Sequence, residues 1–257
     1  MSSDITRILR DWEYDSGNLI RIIKADDGRE VLQVRQPLGI EQYELQGRPD
    51  GLVPDGKVSF VELYKERLRD HVTTHGSDGG FSLAHDDFVR LQNEGVIYYY
   101  RYLVLFQIGD FERTASDTDH NLALCDLVDK YAEKESDKKE VLQYRPYILR
   151  INAISKAMIS LSRQLKAAAM EIIESAIDVI KKMPNVDTPA FQFEKIRSIN
   201  SLKATLKQIQ EQKVSPLDKL KAELDRAVED EDYETAARIR DRIRELEGAQ
   251  GLHDDSR

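Results

Sequence analysis

Cysteine is almost missing from this chain. Cys125 stands alone, which excludes an internal disulfide framework and any zinc site built from cysteine pairs. Cys125 lies in the apolar run 122–127, where it reads as a small buried hydrophobe, with a catalytic thiol as the alternative. Long hydrophobic runs are missing too. No stretch reaches the roughly 18 consecutive apolar residues that a membrane-spanning helix needs. The first seven residues carry no basic region leading into an apolar one, so no signal peptide is expected and a cytoplasmic setting follows as the default. No glycine-rich loop is followed by Lys-Ser or Lys-Thr, so Gly76 to Gly80 reads as a flexible linker and not as a phosphate cradle. No motif of 20 to 50 residues recurs at a fixed period, so a repeat array is not expected.

What remains is a globular, highly charged composition. The 257 residues can bury a sizeable core, with 40% hydrophobic and 33% charged residues. The net charge of −9 is unevenly placed. Residues 141–210 are net +6, residues 211–257 net −5, and the part before residue 141 net −10. A basic middle between acidic flanks fits nucleic-acid binding. It fits equally well a middle that packs on its own acidic neighbours, which is favoured because no dense basic run occurs.

The expected fold class is α+β and mostly helical. Residues 18–24, 29–35 and 39–45 read as strands of a small antiparallel sheet, with Asp27-Gly28 as a hairpin signal. From Ser59 the apolar period becomes helical, through Phe60, Leu63, Tyr64 and Leu68. Residues 73–80 read as a loop. Short helices are expected over 83–93 and 97–106, and a further one over 117–133 that pairs with the second about Gly109-Asp110. Pro146 opens a long helix whose apolar seam runs from Ile151 to Ile180, ended by Met183-Pro184. Another helix carries Phe193 to Ile209. These elements divide the chain into a β-rich part (1–58), a helical body (59–140), a long-helix region (141–213), a helical hairpin (214–248) and a disordered tail (249–257).

Candidate chemistry is thin. His71 and His75 would share a helix face near His85, Asp86 and Asp87, from which a metal site can be drawn, although chance placement explains them as well. Tyr98-Tyr99-Tyr100-Arg101-Tyr102 could stack on bases or fill a helix core. Asp117, Asp119 and His120 read as polar cap residues. No nucleophile and base stand in a recognisable constellation, so no enzymatic activity and no cofactor are expected.

The hairpin is more specific. Ser215 can cap a helix that has Pro216 in its first turn and Asp218 near the positive helix end. Leu217, Leu220, Leu224 and Ala227 then follow at spacings of three and four. After Asp230-Glu231-Asp232 a second stripe runs through Tyr233, Ala236, Ile239, Ile243 and Leu246. Two helices so close in sequence run antiparallel. Ala236 and Ala237 permit close approach, Tyr233 can close the open end, and Arg240 and Arg244 can pair with acids at helical spacing. The run Asp232-Tyr233-Glu234-Thr235-Ala236-Ala237-Arg238-Ile239-Arg240-Asp241 fills every fixed place of Asp-aromatic-Glu-x-Ala-Ala-x-x-Arg-Asp. It resembles the UVR motif of the bacterial excision-repair proteins UvrB and UvrC, which also occurs in Clp-type chaperones, arginine-kinase activators and some chloroplast stress proteins. The resemblance implies a module that binds another protein, often a second UVR hairpin. The contact residues it implies are Leu220, Leu224, Tyr233, Ala236, Ala237 and Arg240. The expected function is therefore a bacterial, non-enzymatic adaptor or regulator, homodimerisation being one form of it. The alternative is a nucleic-acid-associated repair accessory using residues 141–210.

Overall fold

The computed structural model describes residues 4–211, 220, 223–224, 226–228 and 232–254, and in the last helix side chains through residue 244. It opens with a short helix, α1 (Thr6–Asp11), and a three-stranded antiparallel sheet in the order β1-β2-β3. The strands are β1 (Ile20–Lys24), β2 (Glu30–Gln36) and β3 (Gly39–Glu44). Lys24 pairs with Glu30 across a turn in which Gly28 takes φ +86°, a conformation that glycine enters without steric penalty. The central strand is covered on both faces. Leu32 packs with Leu45 and Leu105, while Arg35 on the other face donates to the carbonyl of Trp12 at 2.7 Å.

Helices follow: α2 (Phe60–His75), α3 (His85–Gln107), α4 (Phe111–Tyr131), α5 (Glu135–Leu142), α6 (Arg145–Ser162), α7 (Lys166–Lys182), α8 (Pro189–Glu211) and α9 (Tyr233–Asp254). One core joins α2 to α6 around Leu91, Leu124, Val128 and Ile148. A second lies between α6, α7 and α8 around Ala157, Ile173, Ile180 and Leu202. Since α6 packs along both α4 and α7, it carries the first core into the second.

Three helix assignments differ from the sequence expectation. The two short helices expected over 83–106 are one, α3, because Gly95 is a packing residue and not a breaker. A Cβ at Gly95 would lie 3.2 Å from Leu124 Cδ1, so glycine lets α3 and α4 approach. The helix expected from residue 117 begins at Phe111, where Asp110 accepts from the Arg113 amide at 3.1 Å. Conversely, the long helix expected from Pro146 to Met183 is two. Gln164 takes φ +63°, the Leu165 amide reaches Ser160 O at 2.9 Å and the Gln164 amide reaches Leu161 O at 2.9 Å. That is a Schellman ending without its usual glycine, and so without its usual sequence signal.

Charge also enters this interior. Glu94 is 0% exposed, yet its carboxylate accepts from the amides of Phe60 (2.7 Å) and Val61 (3.0 Å), from His120 Nε2 (3.1 Å) and from Arg48. The first two bonds satisfy amides at the start of α2 that have no partner within the helix. Burial works to raise the Glu94 pKa, but the hydrogen bonds from His120 and the two amides outweigh it and hold the carboxyl below its ordinary value. Beside it, Arg101 binds Asp117 through one guanidinium edge, Nε and Nη2, and donates from Nη1 to the carbonyls of Glu44 and Gly47. Burial against that partner leaves the Asp117 carboxyl above its ordinary range. Together these groups fasten the segment after β3 to α2, α3 and α4.

Candidate functional site at the C-terminal hairpin

Ser215, Pro216 and Leu217, the expected start of the hairpin, lie outside the described residues. The described part begins with helical Leu220, Glu223, Leu224 and Arg226 to Val228. The amide of Asp232 donates to Ala227 O at 2.8 Å. Asp232 immediately caps the second helix. Its Oδ1 accepts from the Thr235 amide at 3.1 Å and its carbonyl accepts from the Ala236 amide at 3.0 Å. Hydrogen bonds from Thr235, side chain first and backbone second, hold the exposed Asp232 carboxyl below its usual value. A connection this short sets the two helices antiparallel.

Ala227 (7% exposed), Ala236 (8%) and Ile243 (7%) are the buried apolar positions among the described hairpin residues. Leu220, Leu224, Ala237 and Ile239 are half-buried, and Arg240 is exposed. Tyr233 does not close the open end as expected. It is 68% exposed, because the Asp232 cap places it at the very start of α9, ahead of the first buried seam position, Ala236. Arg240 donates to its neighbour Asp241 (3.0 and 2.9 Å) and not to an acid one helical turn away. Such an exposed pair contributes roughly 0–1 kcal/mol. Val228, 51% exposed, is an apolar edge that the motif pattern does not single out. Among the described residues α9 makes no extensive contact with a body helix. The hairpin therefore presents leucine, valine and tyrosine surface beside a seam made largely of alanine.

Residues 215–249 carry a UvrB/uvrC motif. The match to that family covers the hairpin and leaves the rest of the chain unassigned. No curated protein and no solved structure matches the chain. In the UVR segment, Ala236 sits inside the seam, while Leu220, Leu224, Tyr233, Ala237 and Arg240 keep accessible surface.

Elsewhere the candidate chemistry is taken up by structure. The rings of His71 and His75 stack at 4.2 Å, as their spacing implies, but His71 Nε2 meets Gly79 O at 3.0 Å and His75 Nδ1 meets His71 O at 2.9 Å. His85 turns to Asp137 at 2.9 Å. Among the described residues no group of His, Cys, Asp and Glu is arranged to hold a metal ion. Asp117 and His120 are not cap residues; they belong to the buried charge network, which the sequence reading missed. A signal was present, since Glu94 and Arg101 fall on the same helical stripe as Leu91, Tyr98, Tyr102 and Leu105. Cys125 is completely buried, which pushes its thiol up to about 12. Several bases of the positive middle meet acids of α4: Arg145 pairs with Asp126 and Asp129, Lys156 with Asp119 at 2.7 Å, and Arg163 with Glu112 at 3.3 Å. No helix among the described residues is long and apolar enough to cross a membrane.

Proposed function

We propose that this chain is a non-enzymatic adaptor or regulator whose UVR hairpin docks another protein, a repair factor, a protease complex or a second UVR hairpin. One observation carries this: Leu220, Leu224, Val228 and Tyr233 of the hairpin retain accessible apolar surface, and α9 makes no extensive contact with a body helix among the described residues. A partner helix pair laid on that edge would complete a four-helix arrangement and remove the remaining surface from water, at about 25 cal/mol per Å². In this reading Ala236 holds the two helices together, while Leu220, Leu224, Tyr233, Ala237 and Arg240 face the partner. The setting is cytoplasmic, where the lone buried thiol of Cys125 needs no partner.

The test compares the full chain with one ending at Val214, each used as bait and each run in sedimentation against concentration. Loss of partners, or of self-association, on truncation is the expected result. Leu224→Asp should reproduce it in the full-length chain. Equal capture and equal sedimentation by all three proteins would leave the hairpin without a docking role. Nucleic-acid binding through residues 141–210 is the less favoured reading, because α4 already neutralises Arg145, Lys156 and Arg163. Binding that falls steeply with salt would favour it instead.

A further inference from the structure

The body contains a cavity of about 450 Å³ between α3, α4, α8 and the turn from α5 into α6. Its volume lies within the range of small-molecule pockets, about 300–1,000 Å³. Tyr99, Tyr100, Tyr102, Tyr144 and Tyr147 line it. The Tyr99 ring lies 5.5 Å from that of Tyr100, tilted by 53°. It lies 5.5 Å from Tyr102 at 87° and 6.0 Å from Tyr147 at 63°. Rings inclined so steeply to one another wall a cavity from several directions. Each ring face is a patch of negative potential that attracts a cation within about 6 Å of its centre. Arg150 takes up one face of Tyr147, at 4.9 Å from the ring centroid. Among the described residues no basic side chain lies over Tyr99, Tyr100, Tyr102 or Tyr144.

The charge of the lining has the matching sign. Two carboxylates, Glu140 and Glu194, stand against one guanidinium, Arg197. Arg197 is 58% exposed and lies over Phe193, a residue outside the lining, at 5.8 Å. Its distance to Glu194 Oε1 is 3.7 Å, and Glu194 Oε2 is buried without a hydrogen-bond partner. Arg150 also acts on Glu194, whereas the exposed Glu140 makes no ion pair among the described residues. The enclosed Oε2 acts through its field and not by a bond to a ligand. What the cavity offers to direct contact is ring surface, with apolar side chains such as Val96 and Ile148. That contact set selects among cations. A metal ion needs converging oxygen or nitrogen ligands, and no such group occurs among the described residues. A primary ammonium is a strongly hydrated point charge that needs acceptors in place of its water. A methylated ammonium needs neither, because its charge lies under an apolar shell that packs on aromatic faces.

We propose that this cavity binds a free quaternary ammonium cation of choline size. Its methylated head packs on the uncovered rings of Tyr99, Tyr100 and Tyr144, which keep accessible surface, and Glu140 and Glu194 supply the opposite charge. This is independent of the hairpin and of its partner.

Calorimetric titration of the full chain with choline chloride, at constant ionic strength, tests it. One saturable site with a Kd below about 1 mM is expected. The neutral carbon analogue, with tert-butyl in place of trimethylammonium, should bind at least about tenfold more weakly. Tyr99→Leu keeps an apolar side chain but removes the ring face, and should weaken choline about fivefold. It should leave the neutral analogue within about twofold. Glu140→Gln should weaken choline about threefold, less than the ring does, because an exposed charge is screened. Tyr100 is 51% exposed, so Tyr100→Leu serves in place of Tyr99→Leu should that variant fail to fold. No saturable choline binding at about 10 mM, equal binding of the neutral analogue, or unchanged choline affinity in the folded ring variant would each overturn the assignment. Co-flotation of the full chain with phosphatidylcholine vesicles would overturn it too, the same head group then being read on a lipid.

Discussion

Glu94 and Asp232 perform the same local task in opposite surroundings. Each carboxylate accepts amides at the start of a helix, α2 for Glu94 and α9 for Asp232. Glu94 does so from another helix, fully buried, with Arg48 and His120 on the same group. Asp232 does so within its own turn, in open water. The first cap therefore ties together parts of the chain more than 30 residues apart, whereas the second organises only the residues beside it. The cores follow the same division. The body buries Leu91, Leu105, Ile173 and Ile180 completely, and such side chains contribute about 1.5–3 kcal/mol each. The hairpin seam rests mainly on alanine methyls, each worth closer to 0.8 kcal/mol. The hairpin is therefore held by less buried apolar surface per residue than the body.

The largest expected break in that comparison is Glu94→Ala. It leaves Arg48 and two amides without their acceptor and should lower body stability by about 3–5 kcal/mol in urea unfolding, with no change in hairpin amide exchange beyond that from global unfolding. The same group makes stability depend on acid. Its folded pKa lies below its unfolded value of about 4.5, so its contribution is complete above that value and is lost as pH falls through the folded pKa. Wild type should lose stability over that interval, and Glu94→Gln should show a flatter acid limb. A steeper limb in the variant would contradict the sign.

Gly95→Val comes next. Its methyls enter the space held by Leu124 and Asn121, and about 1–3 kcal/mol of destabilisation is expected, read from the shift in thermal midpoint. Ile243→Ala reverses the pattern. Amides of residues 233–244 should exchange several-fold faster, reflecting about 2 kcal/mol of local loss, while the body transition stays within about 0.5 kcal/mol of wild type. The smallest effect is a gain. Gln164→Gly relieves a left-handed residue at the α6–α7 break and should stabilise the body by about 1 kcal/mol. A destabilised Gln164→Gly protein would mean that the Gln164 side chain matters more than its backbone.

Much of the architecture was legible because its signals are local. Alternation and Asp27-Gly28 marked the sheet, Ser59 marked the start of α2, and the run Asp232 to Asp241 marked the UVR segment. The errors share a cause, which is that a neighbour in space overrode the local signal. The gap expected between residues 93 and 97 closes because Gly95 packs beside Leu124. Residues 163–165 contain neither glycine nor proline, so nothing local announces the break that packing of α6, α7 and α8 imposes. Tyr233 reads as part of the seam stripe until the cap fixes it at the helix start.

Short-range chemistry, namely helical and strand periods, turn residues and the ten-residue UVR pattern, was set by the sequence alone, since each depends only on groups a few bonds apart. Tertiary structure alone decided that Arg48 and His120 would meet on Glu94, that Asp117 would be the partner of Arg101, and that Arg145, Lys156 and Arg163 of the basic middle would meet α4. Burial and charge pairing depend on what lies across the fold, and that is specified by the packing of whole helices, not by any one stretch of chain.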